Sequence, residues 1–177
     1  MLARSLSLLL VLASSPALAN VSPVCEALVS YFDGSTPERR LRATRSEAVS
    51  RCEELLEAGA AHGLTGDRLE RVLVALAVRE TRFDPSLVSS VGAVGLIQVV
   101  PWAHCPGGTA QGCDLLDVGA RHLAELLESE PTMSEALARY NCGNRDSVVD
   151  ACFDFAADVR SIATRLREEL ERMGVCQ

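Results

Sequence analysis

The segment Val72-Leu73-Val74-Ala75-Leu76-Ala77-Val78-Arg79-Glu80-Thr81-Arg82-Phe83-Asp84-Pro85, continued by Gly92-Ala93-Val94-Gly95-Leu96-Ile97-Gln98-Val99-Val100-Pro101, decides the fold. It opens as an almost wholly apolar run, reaches one carboxylate at Glu80, and passes through a polar turn into a glycine-punctuated apolar stretch. Counting back from Glu80, Leu76, Leu73, Val72 and Leu69 fall at helical spacings, so the carboxylate shares a face with core-packing side chains. The pattern predicts a helix over about 67–81. Asp67 is an N-cap candidate with Glu70 three residues on, as in a capping box, and Pro85 biases the residue before it away from helical backbone. Periodicity alone leaves two readings of Glu80. It is either a structural carboxylate paired with a neighbouring arginine, or a general acid whose pKa is pushed up by burial and by the helix C-terminus together.

The remaining chain sets bounds on both readings. A length of 177 residues suits one well-packed domain. Met1-Leu2-Ala3-Arg4, the apolar run Leu6 to Leu12 and the small residues Ala17 and Ala19 form a secretory signal pattern, with the mature chain expected to start near Asn20. Cys25 lies too far downstream to be a lipid-modified first residue, and no second apolar run approaches the roughly 20 residues that span a bilayer. The expected location is therefore the periplasm or the medium, without stable membrane insertion. Seven cysteines in an exported chain point to disulfides. Short-loop pairing favours Cys105 with Cys113 and Cys142 with Cys152, with Cys25 to Cys52 as the third bridge and Cys176 left over, although spacing alone does not fix connectivity. There is no Cys-x-x-Cys and the histidines His62, His104 and His122 are scattered, so neither a metal nor another cofactor is expected. A net charge of -7 and the lack of a basic stripe with interleaved aromatics argue against a nucleic-acid partner. The 4% aromatic content argues against a sugar-binding module built on stacking platforms.

Along the mature chain, Asn20 to Ser35 reads as an arm with short apolar pieces, and Thr36-Pro37 as the start of a scaffold helix ending near Gly59. After the Glu80 helix, Gln98 stands as a lone amide among apolar residues and needs hydrogen-bond partners, either a sugar's polar groups or the backbone. A polar loop over about 103–114 precedes a helix over about 115–127. Thr132, with Glu135 three residues on, caps the next helix, which carries Tyr140 and stops at Asn141-Cys142-Gly143-Asn144. A last helix, about Asp154 to Met173, has Phe155, Val159, Ile162, Leu166 and Leu170 on one face, with Gly174 as its cap.

Taken in order, Arg79-Glu80-Thr81-Arg82-Phe83-Asp84-Pro85, Ser89, Gly92 through Pro101, Gly119-Ala120-Arg121-His122-Leu123 and Ala136-Leu137-Ala138-Arg139-Tyr140-Asn141-Cys142-Gly143 resemble the bacterial lytic transglycosylase domain of the goose-type lysozyme-like superfamily. The resemblance implies a mainly α-helical, lysozyme-like fold with a substrate cleft, here stabilised by disulfides. The expected organisation is a signal peptide over 1–19, an N-terminal arm and scaffold helix over 20–66, and the transglycosylase domain over 67–177. It also implies cleavage of the bond between N-acetylmuramic acid and N-acetylglucosamine in peptidoglycan, leaving 1,6-anhydromuramoyl ends, with Glu80 as sole general acid and base. By the same resemblance Ser89, Gln98, Tyr140 and Asn141 bind substrate, and Tyr140 holds Glu80 or the sugar by a hydrogen bond. The chain departs from the family pattern in three places. Ile97 stands where methionine is common, Arg139 stands where alanine is common and is expected to add charge at the cleft rim, and Asp158 stands where a tyrosine usually approaches the acid.

Two other functions are compatible with these residues. A hydrolytic muramidase needs a second group to place water, for which Asp84, Asp114 and Asp158 are the candidates. A weakly active peptidoglycan-binding component of an envelope secretion or assembly machine is the other; its expected mark is a replaced acid, whereas Glu80 is present.

Overall fold

The structure is a computed structural model that describes residues 21–33, 40–143 and 149–175. The expected signal peptide, the Thr36-Pro37 helix start and Cys176 lie outside the described residues. The elements in chain order are α1 (Pro23–Asp33), α2 (Arg45–Ala61), α3 (Asp67–Thr81), α4 (Pro101–His104), α5 (Leu115–Ser129), α6 (Met133–Cys142) and α7 (Asp150–Arg172). Among the described residues there is no β-sheet, only the isolated antiparallel bridges Val88–Val94 and Val94–Val99, so the mainly α, disulfide-stabilised architecture is as the sequence implies. No helix among them is long and apolar enough to cross a membrane.

The centre of the molecule is α3. Every residue from Arg71 to Val78 is buried, so this helix is covered on all sides, as expected of one that is apolar around its circumference. It packs against α1, α2 and α7. Leu73 and Leu76 are wholly inaccessible, each contributing about 1.5–3 kcal/mol by burial. Its limits, Asp67 and Thr81, coincide with those read from the sequence, but the start differs in detail. Gly66 is the N-cap, with its N–H donating to Glu70 Oε1 at 3.1 Å, while Asp67 is already helical and pairs with Arg71 one turn on.

The N-terminal segment is a correction to the sequence reading. Where an arm is expected, α1 is a helix that buries Val24, Cys25, Ala27, Leu28, Val29 and Phe32, and it belongs to the same continuous apolar core as α3 and α7. The next helix also starts later than Thr36-Pro37 suggests. Residues 40–44 are not helical, and α2 begins at Arg45 under a capping box in which Thr44 accepts from the Glu47 N–H and Glu47 accepts from the Thr44 N–H. At the other end, α7 starts at Asp150, four residues before the expected Asp154.

Three disulfides close the frame: Cys25–Cys52, Cys105–Cys113 and Cys142–Cys152. These are the pairings expected from the sequence. The first clamps α1 to α2, the second staples the loop after α4, and the third ties the end of α6 to the start of α7. Each contributes about 2–4 kcal/mol by restricting the unfolded chain.

Candidate active site

Glu80 occupies the last turn of α3, and the backbone that follows it is unusual. Arg82 and Phe83 both take left-handed backbone (φ 53° and 65°), and so does Gln98 (φ 51°). Such conformations cost about 1–2 kcal/mol each in a residue with a Cβ, so they persist only where surrounding contacts hold them. Here the contacts are specific. Phe83 is fully buried, and its carbonyl accepts from Arg51 Nη1 at 2.7 Å. The Arg82 carbonyl accepts from the Arg42 N–H at 2.9 Å, and the buried Thr81 hydroxyl reaches the Leu96 carbonyl at 2.9 Å. The chain is thereby turned sharply after Glu80, and the 87–99 segment is laid across the end of α3.

That segment forms a small double-bridged loop. Val94 and Val99 exchange both backbone hydrogen bonds, at 2.8 and 2.9 Å. Gln98 lies inside the turn, and its side-chain nitrogen donates to the carbonyls of Leu87 (3.0 Å) and Gly95 (3.1 Å). Of the two partners open to this amide, the backbone takes the nitrogen, while Oε1 keeps its acceptor capacity. Ser89 is likewise engaged locally, its Oγ accepting from the Ala93 N–H at 3.0 Å. Behind the loop, α5 presents Gly119, where a Cβ would sit 2.4 Å from Ile97 Cδ1 and 2.8 Å from Val99 Cγ2. A side chain at this position would require Ile97 and Val99 to shift.

Glu80 itself is half-buried. Among the described residues no hydrogen bond or ion pair engages its carboxylate, so the structural arginine-paired reading of this residue fails. Burial is the main cause that moves its pKa, up to about 7, with Arg79 opposing as the only charge of note. A second carboxylate close by would push in the same direction as burial, and none contributes. Arg79 is instead drawn toward α7. Its Nε lies 2.9 Å from Asp158 Oδ2, and its guanidinium lies 5.1 Å from the Phe155 ring centre. Asp158, at the position where the resemblance expects a tyrosine, thus faces Arg79. Asp84 accepts from the Ser86 N–H and hydroxyl, and Asp114 caps α5.

Tyr140, on α6, donates its hydroxyl to the Ile97 carbonyl at 2.9 Å, the carbonyl adjoining strained Gln98. Burial first, and then the charge of Glu80, drives its ionisation far above the ordinary phenol range, so it stays neutral and within electrostatic reach of the acid. Its single proton is committed to the backbone, which leaves the phenol oxygen as an acceptor toward Glu80 or a sugar. Asn141 is exposed, with its amide 3.5 Å from Cys142 Sγ. Arg139 does not extend to a rim as expected; it pairs with the nearly inaccessible Glu130 and lies 3.4 Å from the Gly143 carbonyl.

Two cavities meet these residues. One of about 500 Å³ has Glu80 on its lining, together with Leu87, Ile162 and residues of α1. The other, about 30 Å³, lies between Gln98, His104, His122, Gly119 and Tyr140, which is room for a water and not for a sugar. His122, pushed down to about 4 mainly by burial, is neutral there, and its ring lies 4.2 Å from that of His104. Gln98 and Tyr140 thus share the small cavity and Glu80 lines the large one, and of the two only Tyr140 feels the charge of Glu80. Ser89 and Asn141 are on neither lining. Sequence reasoning missed Thr81 and Arg51, which fix the turn after Glu80, and Arg42 and Arg165, which line its cavity. Thr81 alone had a local signal, as a hydroxyl beside the acid on an apolar helix.

Comparison with curated proteins and with solved structures finds no match. A family model described as Transglycosylase SLT domain matches residues 61–148, from the end of α2 through Glu80 to beyond α6, and over that segment the chain carries a domain of the SLT lytic transglycosylase family.

Proposed function

We propose that this protein is a peptidoglycan lytic transglycosylase that cleaves the β-1,4 bond between N-acetylmuramic acid and N-acetylglucosamine without water, with Glu80 as both general acid and general base. The observation that carries this reading is the state of Glu80: half-buried, free of ion pairs among the described residues, and holding its proton up to about pH 7. A carboxyl in that state can deliver a proton to the glycosidic oxygen as the C1–O bond breaks. The resulting carboxylate then takes the proton from the same muramoyl sugar's C6 hydroxyl, whose oxygen bonds to C1. The proton lost by O6 thus replaces the one given to the leaving oxygen, and no water is consumed. One carboxyl suffices because the nucleophile is tethered to the reacting carbon.

Hydrolysis by a carboxylate pair requires a second such group near the scissile bond. The three candidates for it, Asp84, Asp114 and Asp158, are each engaged by other groups. The acid's location in an exported, disulfide-bonded domain fits action in the cell envelope. The deciding experiment is digestion of purified peptidoglycan with the mature protein, followed by mass analysis. Muropeptides with anhydro ends, lighter by one water than reducing ends, are expected, and reducing ends alone would overturn the reading.

A further inference from the structure

The family segment starts at residue 61, yet the turn after Glu80 is held by two residues that precede it. The Arg82 carbonyl accepts from the Arg42 N–H at 2.9 Å, and the Phe83 carbonyl accepts from Arg51 Nη1 at 2.7 Å. The first bond is between backbone groups, whereas the second hangs on one side chain. Arg51 stands on α2, its side chain 27% exposed, with Nη2 3.3 Å from Glu47 Oε1. Glu47 Oε2 in turn accepts from the N–H and the hydroxyl of Thr44, at 2.9 and 2.7 Å. A chain of charge-assisted hydrogen bonds thus runs from the N-cap of α2 to the carbonyl three residues beyond Glu80. Its footing is fixed, because Cys52, next to Arg51, is wholly buried and bonded to Cys25 of α1.

We propose that Arg51 is a positioning residue for Glu80, its bond to the Phe83 carbonyl holding the left-handed turn that keeps the acid half-buried at the end of α3. The effect on rate rests on the transglycosylase reading above; the effect on the surroundings of the acid does not. Arg82 and Phe83 need outside contacts to stay left-handed, and the turn they form sets residues 40–44 and 87–99 around the end of α3. Arg42, Arg82 and Leu87, from those segments and the turn itself, all line the cavity on which Glu80 lies. Releasing the Phe83 carbonyl therefore loosens the walls that keep water from the carboxyl. The sign of the outcome separates this route from a direct one. The charge of Arg51 acts on Asp84 and is not among the causes that move Glu80, which are burial and Arg79. Were that charge felt directly, its loss would raise the Glu80 pKa, whereas a loosened turn hydrates the carboxyl and lowers it. The α1 and α2 helices, almost wholly outside the family segment, are on this inference a working part of the site.

The test follows Glu80 itself. In the mature protein its side-chain carboxyl is titrated by carbon-13 NMR, the resonance being identified by its absence from Glu80→Gln. Arg51→Met, which keeps an apolar stem and removes the donors, is expected to bring the midpoint down from about 7 by about one pH unit. Turnover of peptidoglycan should fall about tenfold with KM little changed, and Arg51→Lys, which restores one donor, should recover part of both. Circular dichroism melts establish that each variant is folded. Glu47→Gln keeps a capping-box side chain and removes the charge that orients Arg51. It should shift the midpoint the same way by less, and it stands in for Arg51→Met where that variant does not fold. A midpoint unmoved or raised in the folded variant would overturn the proposal even if turnover falls, since the arginine would then serve stability alone. Failure of the transglycosylase reading shows separately, as a lack of anhydro ends from the wild-type protein with the titration shift intact.

Discussion

Replacing Glu80 by glutamine should remove activity and, at the same time, stabilise the protein in a pH-dependent way. The carboxyl ionises at about 7 in the folded chain against 4.5 as an ordinary carboxyl. Because the folded value is the higher one, the contribution of Glu80 to stability is whole below pH 4.5 and is lost as pH rises through about 7. At ~1.4 kcal/mol per pH unit, the loss at pH 8 is about 3 kcal/mol. Glutamine has nearly the same shape and no charge, but its amide must also be desolvated, which takes back about 1 kcal/mol. The expected net gain at pH 8 is about 2 kcal/mol, or a rise of about 4–8 °C in Tm for a domain of this size. At pH 4 both side chains are neutral, so the difference should shrink below ~1 kcal/mol. The assay is denaturant unfolding of the two proteins with disulfides intact, at both pH values, so that every other titrating group cancels in the comparison. A glutamine variant no more stable than wild type at pH 8, or one with equal effects at both pH values, would refute the account of a desolvated, unpaired acid.

On the proposed mechanism the same pKa sets the pH dependence of the reaction, since Glu80 must be protonated to start it. Turnover of peptidoglycan should fall as pH rises through about 7, and a limb near 4.5 instead would show that the acid is solvated in the working enzyme. Arg79 is the charge that lowers the Glu80 pKa, so Arg79→Gln should move that limb to higher pH, read from the same pH–rate profile. Tyr140→Phe removes the bond to the Ile97 carbonyl; a loss of about 1–2 kcal/mol in denaturant unfolding is expected, together with slower turnover as the Gln98 turn loosens. Gly119→Ala forces a methyl against Ile97 and Val99, and should cost about 1–3 kcal/mol by the same measurement; a variant as stable as wild type would mean that the loop yields easily.

What could be read in advance depended on how local the cause was. The limits of α3 are set by Gly66, Pro85 and an unbroken apolar run between them, all within one stretch of chain. The disulfides Cys105–Cys113 and Cys142–Cys152 close short loops whose geometry leaves little choice. The start of α2 was misplaced because Thr44-Arg45-Ser46-Glu47 also signals a helix start, and its two reciprocal bonds set the first turn of α2 at Arg45. Helix α1 was missed because 11 residues do not sustain a helix alone; packing on α7 and the bond from Cys25 to Cys52 hold it. Glu80 itself was legible from the face it shares with Leu76 and Leu73. Its surroundings were not, because Arg42, Arg79, Arg82 and Arg165 come from three separate parts of the chain, and because the partner of the Tyr140 hydroxyl lies 43 residues away.

The enclosure of α3 from Arg71 to Val78 has a kinetic consequence. Amide protons of Leu73 to Ala77 can meet solvent only when α1, α2 and α7 come away together, so they should exchange at the rate of global opening, while the 87–99 loop exchanges through smaller local excursions. Glu80 lies just beyond that stretch, next to exposed Arg79, so it is carried at the edge of the last part of the molecule to open, and the loop laid across the helix end is free to breathe. On the proposed function, partial openings that admit a long glycan strand can occur without displacing the helix that carries Glu80.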